Sequence, residues 1–249
     1  MSVSVGKWTK HKFMAREEEL SRHLPDTKLL TEDSLWWMLD QYSHIMIKPC
    51  IGYQGRGVIQ VSSLPEEKLE IHSGYKKIIL HGKRETYDYL KENHLSKKKR
   101  YIVQQRIPLA VIGKSPFDIR VMVQRKNDSS EWSITGKLAK VAANGFVITN
   151  AVKAVLTVEE AIKESTLNNN QIQGLLGKLD QLSLFTVKKL ANDYPKRRTF
   201  GIDIGIDQAG EIWIIEVNLA PNTSMFKKLA NGDYERIKSY KKEKVQDQD

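Results

Sequence analysis

The sequence predicts an α+β fold built mainly from antiparallel sheets. Short apolar strand patterns outnumber helical patterns, and most of them follow one another in the order of β-hairpins. A doubly wound parallel sheet would need strands that alternate with helices, so that architecture is disfavoured. No internal repeat or low-complexity segment points to a solenoid or a fibrous protein.

Four helices are expected. The first covers residues 8–24, where Phe13, Leu20 and Leu24 share one face and Pro25 ends the pattern. The second begins after Thr31 and runs to residue 42, and two more lie near 84–93 and at 172–194. Strands are expected at 44–48, 58–61, 69–72, 76–80, 102–107, 118–125, 132–141, 146–149 and, as a last pair, within 200–218.

One domain should cover residues 1–240, since no Pro-, Gly- or Ser-rich stretch divides the chain. We expect two lobes, at about 1–103 and 104–240, and a charged, frayed tail at 241–249. The start of the sequence lacks the apolar run of a signal peptide, and no segment has the roughly 18 apolar residues of a membrane span. These features predict a cytoplasmic protein.

The net charge of +10 would attract phosphates or nucleic acid but does not define a fold. The densest basic run, residues 97–100, has no aromatic residue to stack on bases, so a solvated loop is favoured over a polyanion contact. Cys50 is the only cysteine, which excludes an intramolecular disulfide and a cysteine-only metal cluster. We expect it to pack rather than to react.

An acidic hairpin at residues 200–218 is the most informative segment. Two alternating runs flank a turn at 208–210, and strand periodicity assigns their faces. The residues assigned to the core are Ile202, Ile204, Ile206, Trp213, Ile215 and Val217. With Ala209–Gly210 as the tip, Asp203 lies opposite Glu216, and Asn218 follows on the same face.

Residues opposite each other on paired strands have Cβ atoms about 4.5–5.5 Å apart. Two carboxylates there repel each other by about 3 kcal/mol at an effective dielectric of about 20. Mg²⁺ would compensate, because it prefers carboxylate, amide and phosphate oxygens. The predicted metal ligands are Asp203, Glu216 and Asn218. Gly205 also favours a site, since a strand glycine often marks close approach of a ligand or backbone. A solvated face with lysine-paired carboxylates is the alternative.

A glycine loop joins two predicted strands after Lys48. Gly52, Gly55 and Gly57 let main-chain N–H groups approach an anion, and Arg56 adds positive charge. The loop matches neither a Walker motif nor a Rossmann fingerprint. Phosphate binding and a plain glycine-rich hairpin both remain open from these residues alone.

Together, the strand lysine, the glycine loop and the Asp…Glu-x-Asn hairpin resemble the ATP-grasp superfamily. Five segments more narrowly resemble its endospore coat-associated YheC/YheD family. They are Gly6-Lys7-Trp8, His23-Leu-Pro-Asp-Thr27, Phe117-Asp-Ile-Arg120, residues 201–207 and residues 212–218. The resemblance covers about residues 6–230 and implies an ATP-grasp fold, in which two α+β lobes clamp ATP and two Mg²⁺ ions.

The resemblance also implies roles for single residues. Lys7 and Lys48 would bind the nucleotide, with Gly52, Gly55, Arg56 and Gly57 as a lid. Gln104, Gln105, Arg106 and Ile107 would form the hinge that reads adenine, and Asp118 would face the ribose. Arg120 would contact the γ-phosphate or an acyl phosphate, and Asp203, Glu216 and Asn218 would hold Mg²⁺.

Each role has an ordinary alternative. Lys10 and Lys12 lie near Lys7 on the same predicted helix, and residues 105–106 could be plain strand residues. Asp118 and Arg120 share a strand face and could form a surface ion pair.

The implied activity is ATP-dependent ligation of a carboxylate to an amine through an acyl phosphate. Two departures favour nucleotide binding over any particular ligation. Lys137 and Lys140 stand where related ligases often carry arginines, and no Gly-Gly follows Asn150. Family members also usually have a further N-terminal domain before the two lobes that clamp ATP. The alternatives are a catalytically inactive nucleotide-binding protein associated with the spore coat and, third, a basic nucleic-acid binder.

Overall fold

A computed structural model describes residues 4–52, 55–127, 129–146, 151–167 and 172–242. The helices are α1 (Lys7–Met14), α2 (Glu18–Ser21), α3 (Glu32–Tyr42), α4 (Gly82–Asn93), α5 (Val158–Glu164), α6 (Ile172–Asp193) and α7 (Asp233–Lys242), and a 3-10 helix covers Ser224–Lys228. The strands are β1 (Thr27–Leu29), β2 (His44–Pro49), β3 (Ile59–Ser63), β4 (Lys68–Ser73), β5 (Lys76–His81), β6 (Tyr101–Gln105), β7 (Val111–Ile112), β8 (Ser115–Gln124), β9 (Ser133–Ala142), β10 (Val152–Leu156), β11 (Thr199–Ile206) and β12 (Ile212–Asn218).

The N-terminal sheet has the strand order β1-β6-β2-β3-β4-β5, with antiparallel neighbours throughout. Helix α3 begins where the sequence predicts, because the Thr31 hydroxyl accepts a hydrogen bond from the Ser34 N–H at 3.1 Å. The helix buries Leu35 and Met38 in one core with strand residues such as Ile45. Burial of these apolar side chains holds α3 and α4 to the sheet.

The C-terminal sheet has the order β10-β9-β8-β11-β12, with β7 paired to β8, and is also antiparallel. Helices α5 and α6 share its main core. On the other face, α7 and the 3-10 helix pack so closely that a Cβ at Gly136 would lie 2.9 Å from both Ile237 and Phe226. The α+β class and the mainly antiparallel sheets are therefore confirmed.

The chain passes twice between the two sheets, along neighbouring paths. Met14, Leu20 and Leu24 lie in the core of the C-terminal sheet, whereas the next strand, β1, belongs to the N-terminal sheet. The return passage follows β6, where the Gln105 N–H donates to the Asp26 carbonyl at 2.8 Å. The two passages therefore form a hydrogen-bonded pair. The lobe boundary at residues 103–104 stays a prediction.

The opposite edges of the two sheets also touch. In the turn between β4 and β5, Tyr75 packs edge-on against Phe146, with ring centroids 6.4 Å apart. Beside it, His72 Nε2 lies 3.0 Å from the Gly145 carbonyl oxygen, which follows β9. The two sheets therefore meet at both ends.

Several predicted elements need correction. The helix expected over 8–24 is broken into α1 and α2. The short strands β1, β7 and β10 and the helices α5 and α7 were not predicted. Helix α7 is largely polar, so its sequence lacks the wide apolar stripe that marks a helix. The strand expected at 146–149 falls mostly outside the described residues. Of the tail predicted at 241–249, residues 241–242 belong to α7 and the rest lies outside the described residues.

The acidic hairpin has a β-bulge that the sequence did not reveal. Asp203 pairs with Glu216 as predicted, but Ile204 pairs with Ile214, which leaves Ile215 as an extra residue. The bulge changes the buried face of β12. Ile212, Ile214 and Val217 are the core residues, so the assignment of Trp213 and Ile215 to the core was wrong.

Candidate functional site

A cavity of about 610 Å³ is lined by both sheets and by the start of α1. Most of the predicted site residues line it. They are Lys7, Lys48, Gly52, Gly55, Arg56, Asp118, Arg120, Asp203, Glu216 and Asn218. The same region is therefore reached from four separate parts of the sequence: the start of α1, the end of β2 with the glycine loop, strand β8 and the acidic hairpin.

Asp203 is the centre of a buried network of charges. Arg120 is directly opposite it on β8 and donates two hydrogen bonds to its carboxylate, from Nε at 2.8 Å and from Nη2 at 2.9 Å. Lys140 Nζ lies 3.1 Å from the same carboxylate and 3.0 Å from that of Asp118. Asn218 Nδ2 adds a fourth hydrogen bond at 3.0 Å.

The protonation states in this network follow from its charges. Burial alone would raise the pKa of Asp203, but Arg120 and Lys140 outweigh it and hold the pKa well below its usual range. Burial alone would lower the pKa of Arg120 and of Lys140, and the neighbouring carboxylates, chiefly Asp203 and Asp118, raise both instead. Asp203, Arg120 and Lys140 are therefore charged at neutral pH. Asp118 and Arg120 do not form the surface ion pair considered as the alternative.

Glu216 faces lysines of the N-terminal half. Lys7 Nζ lies 3.0 Å from its carboxylate, and Lys48 and Lys10 are close enough to interact with it electrostatically. Burial nevertheless lowers the pKa of Lys10 and of Lys48 to about 8. Basic side chains thus offset the repulsion expected between Asp203 and Glu216.

Helix α1 presents its lysines in different directions. Lys7 lines the large cavity and also donates to the Gly52 carbonyl at 3.1 Å. Lys10 is buried and donates to the Val217 carbonyl, whereas Lys12 is exposed. Of the three lysines in this part of the sequence, Lys7 is the one that lines the large cavity.

The glycine loop closes over the cavity from β2. Gly55 and Gly57 have φ of +62° and +75°, a backbone conformation that favours glycine. A Cβ at Gly52 would lie 3.1 Å from Pro49 Cγ, so the loop folds tightly on the strand end. Gly57, the last glycine of the loop, does not line the cavity.

The predicted adenine hinge lies beside the cavity rather than in its wall. Gln104 is buried and bonds to Lys48 and Thr27, and it lines a separate cavity of about 30 Å³. The Gln105 and Arg106 N–H groups donate to the carbonyls of Asp26 and His44. Ile107 is buried. Binding of a base by these main-chain donors would require them to exchange partners.

Two glycines of the hairpin have packing roles. A Cβ at Gly205 would lie 2.4 Å from Leu109 Cδ2, and one at Gly201 would lie 2.5 Å from Pro221 Cβ. The interpretation of Gly205 as a sign of ligand approach is therefore corrected, because a protein side chain occupies that space. Asp207, between Gly205 and the turn, accepts hydrogen bonds from Trp213 Nε1 and two turn N–H groups.

Lys140 was not among the predicted site residues. It is 3% exposed and pairs in register with Asp118, whereas Lys137 turns away and pairs with Asp180 of α6 at 2.9 Å. Other unpredicted lining residues follow β12, including Pro221, Asn222 and Met225. A basic residue at a buried strand position was the available signal for Lys140.

Other sequence expectations concern the surface. The basic run at 97–100 is an exposed turn, and Cys50 is buried. Within the part of the chain that the structure describes, no helix is long and apolar enough to cross a bilayer. In those same residues, no group of three or more His, Cys, Asp or Glu side chains is placed to hold a metal.

Comparison with known proteins places this geometry in context. The YheC/D like ATP-grasp family model matches residues 2–243. The endospore coat-associated protein YheD of Bacillus subtilis is 24% identical over 237 residues, which cover 88% of this chain and 49% of YheD. The chain thus spans about half the length of that relative.

Solved structures show the same fold. N5-carboxyaminoimidazole synthetase from Staphylococcus aureus, complexed with ADP, matches with a TM-score of 0.53 and 10% identity, over 89% of this chain and 46% of that one. The D-alanine-D-alanine ligase from Coxiella burnetii matches with a TM-score of 0.52 and 12% identity, over 91% of this chain and 52% of that one. The predicted ATP-grasp fold is confirmed.

Proposed function

The chain belongs to the YheC/D-like ATP-grasp family, and we propose that it binds Mg-ATP in the large cavity to activate a carboxylate for ligation to an amine. The observation that supports this most directly is the meeting of Arg120, Asp203 and Glu216 with Lys7 and Lys48 around one cavity. Buried charges are costly, so such a cluster is typical of a functional site.

The lysines and the glycine loop suit the phosphates of a nucleotide. Lys7, Lys48 and Arg56 bring positive charge to the end of the cavity that the loop covers. The positive φ of Gly55 lets the loop approach a bound anion closely. The structural relative that contains ADP has the same fold, which supports a nucleotide as the ligand.

The hairpin residues fit Mg²⁺ by their chemistry. Asp203 and Glu216 face each other and Asn218 follows, which gives two carboxylates and an amide oxygen beside the phosphate end. Mg²⁺ commonly takes one or two carboxylates together with phosphate oxygens and water. When bound, it would neutralise charge on the transferred phosphoryl group. Lys7 and Lys140 now pair with these carboxylates and would exchange partners with metal and nucleotide.

The proposed reaction has two steps. A substrate carboxylate oxygen attacks the γ-phosphorus, the bond from that phosphorus to the bridging oxygen breaks, and ADP leaves. An amine then attacks the acyl carbon of the acyl phosphate, phosphate leaves with the electron pair of the C–O bond, and the amine loses a proton. Arg120, held by two hydrogen bonds to Asp203, would orient the phosphoryl oxygens and stabilise the charge that develops.

A second function is supported by the departure at Lys137. This lysine pairs with Asp180 and so adds no charge to the cavity, which leaves Lys140 as the basic residue of β9 there. The alternative is a nucleotide-binding protein of the spore coat that does not catalyse ligation. The name of the relative YheD, endospore coat-associated, supports a spore setting for either function.

The test has two stages. At 100 times its dissociation constant, Mg-ATP should stabilise the protein by about 2.7 kcal/mol, seen as a higher melting temperature. An unchanged melting temperature in millimolar Mg-ATP would exclude nucleotide binding. Release of ADP that depends on added carboxylate and amine would then support the ligase, and binding without such release would support the non-catalytic alternative. Lys7→Met should reduce the stabilisation by Mg-ATP because Lys7 lines the cavity, whereas Lys12→Met, which changes an exposed residue of the same helix, is the matched control and should not.

A further inference from the structure

Strand β12 carries Glu216 and Asn218 and is the edge strand of the C-terminal sheet. The outer main-chain groups of an edge strand lack a partner strand and need other hydrogen bonds. His23 supplies two of them: its ring Nδ1 donates to the Ile212 carbonyl at 2.8 Å, and its carbonyl accepts from the Ile214 N–H at 2.8 Å. Lys10 supplies a third, to the Val217 carbonyl.

These contacts lie on both sides of the β-bulge. Ile214 is the last residue before Ile215, the extra residue, and Val217 follows shortly after it. Because side chains alternate along a strand, an unbulged ladder would place Ile215 opposite Asp203. Glu216 would then share the buried face of Ile214. The bulge is thus what turns Glu216 towards the cavity.

We propose that His23 is a positioning residue: together with Lys10, it holds the bulge of β12 in place and thereby presents Glu216 and Asn218 to the metal-nucleotide. The histidine itself lines neither of the two cavities described above. It acts on the main chain of Ile212 and Ile214, on the outer side of the strand. The expected effect of His23 on Mg-ATP binding rests on the function proposed above. Its expected effect on strand β12 does not.

The position of His23 in the chain suits this role. It opens the segment His23-Leu-Pro-Asp-Thr27, which the sequence analysis singled out without a function. The following residues bond to the other sheet, through Asp26 to Gln105 and through Thr27 to Gln104. The segment therefore fixes β12 relative to β6, which carries the predicted adenine hinge.

Two substitutions separate the hydrogen bond from the bulk of the ring. His23→Asn keeps an N–H donor near the position of Nδ1, whereas His23→Gln carries its amide one bond farther out. ATP affinity is measured for both variants and the parent, once with Mg²⁺ and once with EDTA. Since Lys7, Lys48 and Arg56 do not lie on β12, affinity in EDTA should stay close to that of the parent.

With Mg²⁺, we expect His23→Gln to lose affinity by about 10-fold, as is common when a partner that orients metal ligands is removed. His23→Asn should retain most of the parent's affinity. His81→Gln, on the end of β5, is the matched control and should have no effect. Equal losses with Mg²⁺ and with EDTA, or equal behaviour of the two His23 variants, would overturn the proposal.

Hydrogen exchange tests, without any ligand, whether His23 holds the bulge of β12 in place. In the nucleotide-free protein, amides of residues 211–219 should exchange faster in His23→Gln than in His23→Asn or the parent. The same rates in all three proteins would contradict the proposal. If the parent shows no Mg²⁺-dependent ATP binding, the proposed function fails, and the exchange rates still decide whether His23 holds the bulge.

Deletion of Ile215 offers an independent test. Closing the bulge in this way leaves Glu216 next after Ile214 and still opposite Asp203, in a regular ladder. His23→Gln should then change Mg-ATP affinity by less than about 2-fold in the deletion background, since coupled residues lose their separate effects when one acts through the other. A persistent 10-fold loss, of the order expected in the parent, would show that His23 acts by another route.

Discussion

Arg120 and Asp203 lie opposite each other on β8 and β11 and share two hydrogen bonds of 2.8 and 2.9 Å in the wall of the cavity. Asp203→Asn would leave the guanidinium and the Lys140 ammonium buried beside a neutral amide. Breaking a buried ion pair on one side destabilises by about 3–5 kcal/mol. We therefore expect a loss of about 3 kcal/mol in the free energy of unfolding, measured by urea denaturation.

The control for that experiment is Asp180→Asn. Asp180 pairs with Lys137 at 2.9 Å but is 36% exposed in its side chain, so the change should cost less than about 1 kcal/mol. Because the pKa of Asp203 is depressed in the folded chain, its contribution is present above its unfolded value and is lost as pH falls. The acid dependence of stability should accordingly be weaker in Asp203→Asn. Equal destabilisation by the two substitutions would refute the importance of the buried network.

The lowered pKa of Lys10 and Lys48 predicts a dependence on alkaline pH. Both titrate near 8 in the folded chain and at 10.5 when unperturbed, so the unfolded chain binds more protons between these values. The free energy of unfolding of the nucleotide-free protein should therefore rise between about pH 8 and about pH 10.5. Mg-ATP affinity should fall over the same range, because Lys48 lines the cavity and a phosphate contact favours its charged form.

Lys48→Met is the variant that checks this dependence. It removes one of the two titrating lysines, so both pH slopes should become shallower, while Lys12→Met should leave them unchanged. Calorimetric titration at several pH values measures the affinity, and urea denaturation measures the stability. Slopes in Lys48→Met that match those of the parent would show that another group is responsible.

Glu216→Gln should lower stability in the absence of ligand and also weaken the stabilisation by Mg-ATP. From the sequence alone the first effect should be neutral or slightly favourable, because Asp203 lies opposite. The structure reverses that expectation, since Glu216 is the counterion of Lys7 and is close to Lys10 and Lys48. We expect a loss of about 1 kcal/mol without ligand. Melting temperatures with and without Mg-ATP test both parts, and a nucleotide-free protein more stable than the parent would contradict the first.

Gly205→Ala should destabilise the protein whether or not Mg-ATP is present. Its Cβ would overlap Leu109 Cδ2 at 2.4 Å, and overpacking of this kind costs about 1–3 kcal/mol. Gly174→Ala, in helix α6 with open space around its Cβ, should instead stabilise by up to about 1 kcal/mol. A Gly205→Ala protein that keeps its stability but loses Mg-ATP binding would restore the ligand interpretation of this glycine.

The hairpin shows what the sequence could and could not reveal. The pairing of Asp203 with Glu216 was predicted from a tip at Ala209–Gly210, but the strands close at Ile206 and Ile212, one residue out of that register. The bulge at Ile215 shifts the pairing back by one residue, so two local errors cancel. Turn type and bulges depend on contacts such as those of His23, which lie far away in the sequence.

Lys140 shows a second reason why part of the site could not be predicted from the sequence. Its position opposite Asp118 depends on the register between β8 and β9, which no local pattern encodes. The glycine loop, Lys48 and the acidic hairpin could be predicted because each combines a chemical type with a short spacing. The predicted adenine hinge rests on one short strand segment, and there the side chains of Gln104 and Gln105 bond within the protein.

The contacts at the two ends of the sheets differ in how easily they separate. At one end, the two segments that connect the sheets run side by side. His23 joins them to β12 through hydrogen bonds to main-chain groups of that strand. At the other end, the described residues join the sheets through a hydrogen bond from His72 and the ring contact of Tyr75, which is 70% exposed. An aromatic contact of this kind contributes about 0.5–1.5 kcal/mol. The contact of Tyr75 with Phe146 is therefore the one that should break first if the two sheets move apart, while residues 24–27 and 105–109 keep them joined.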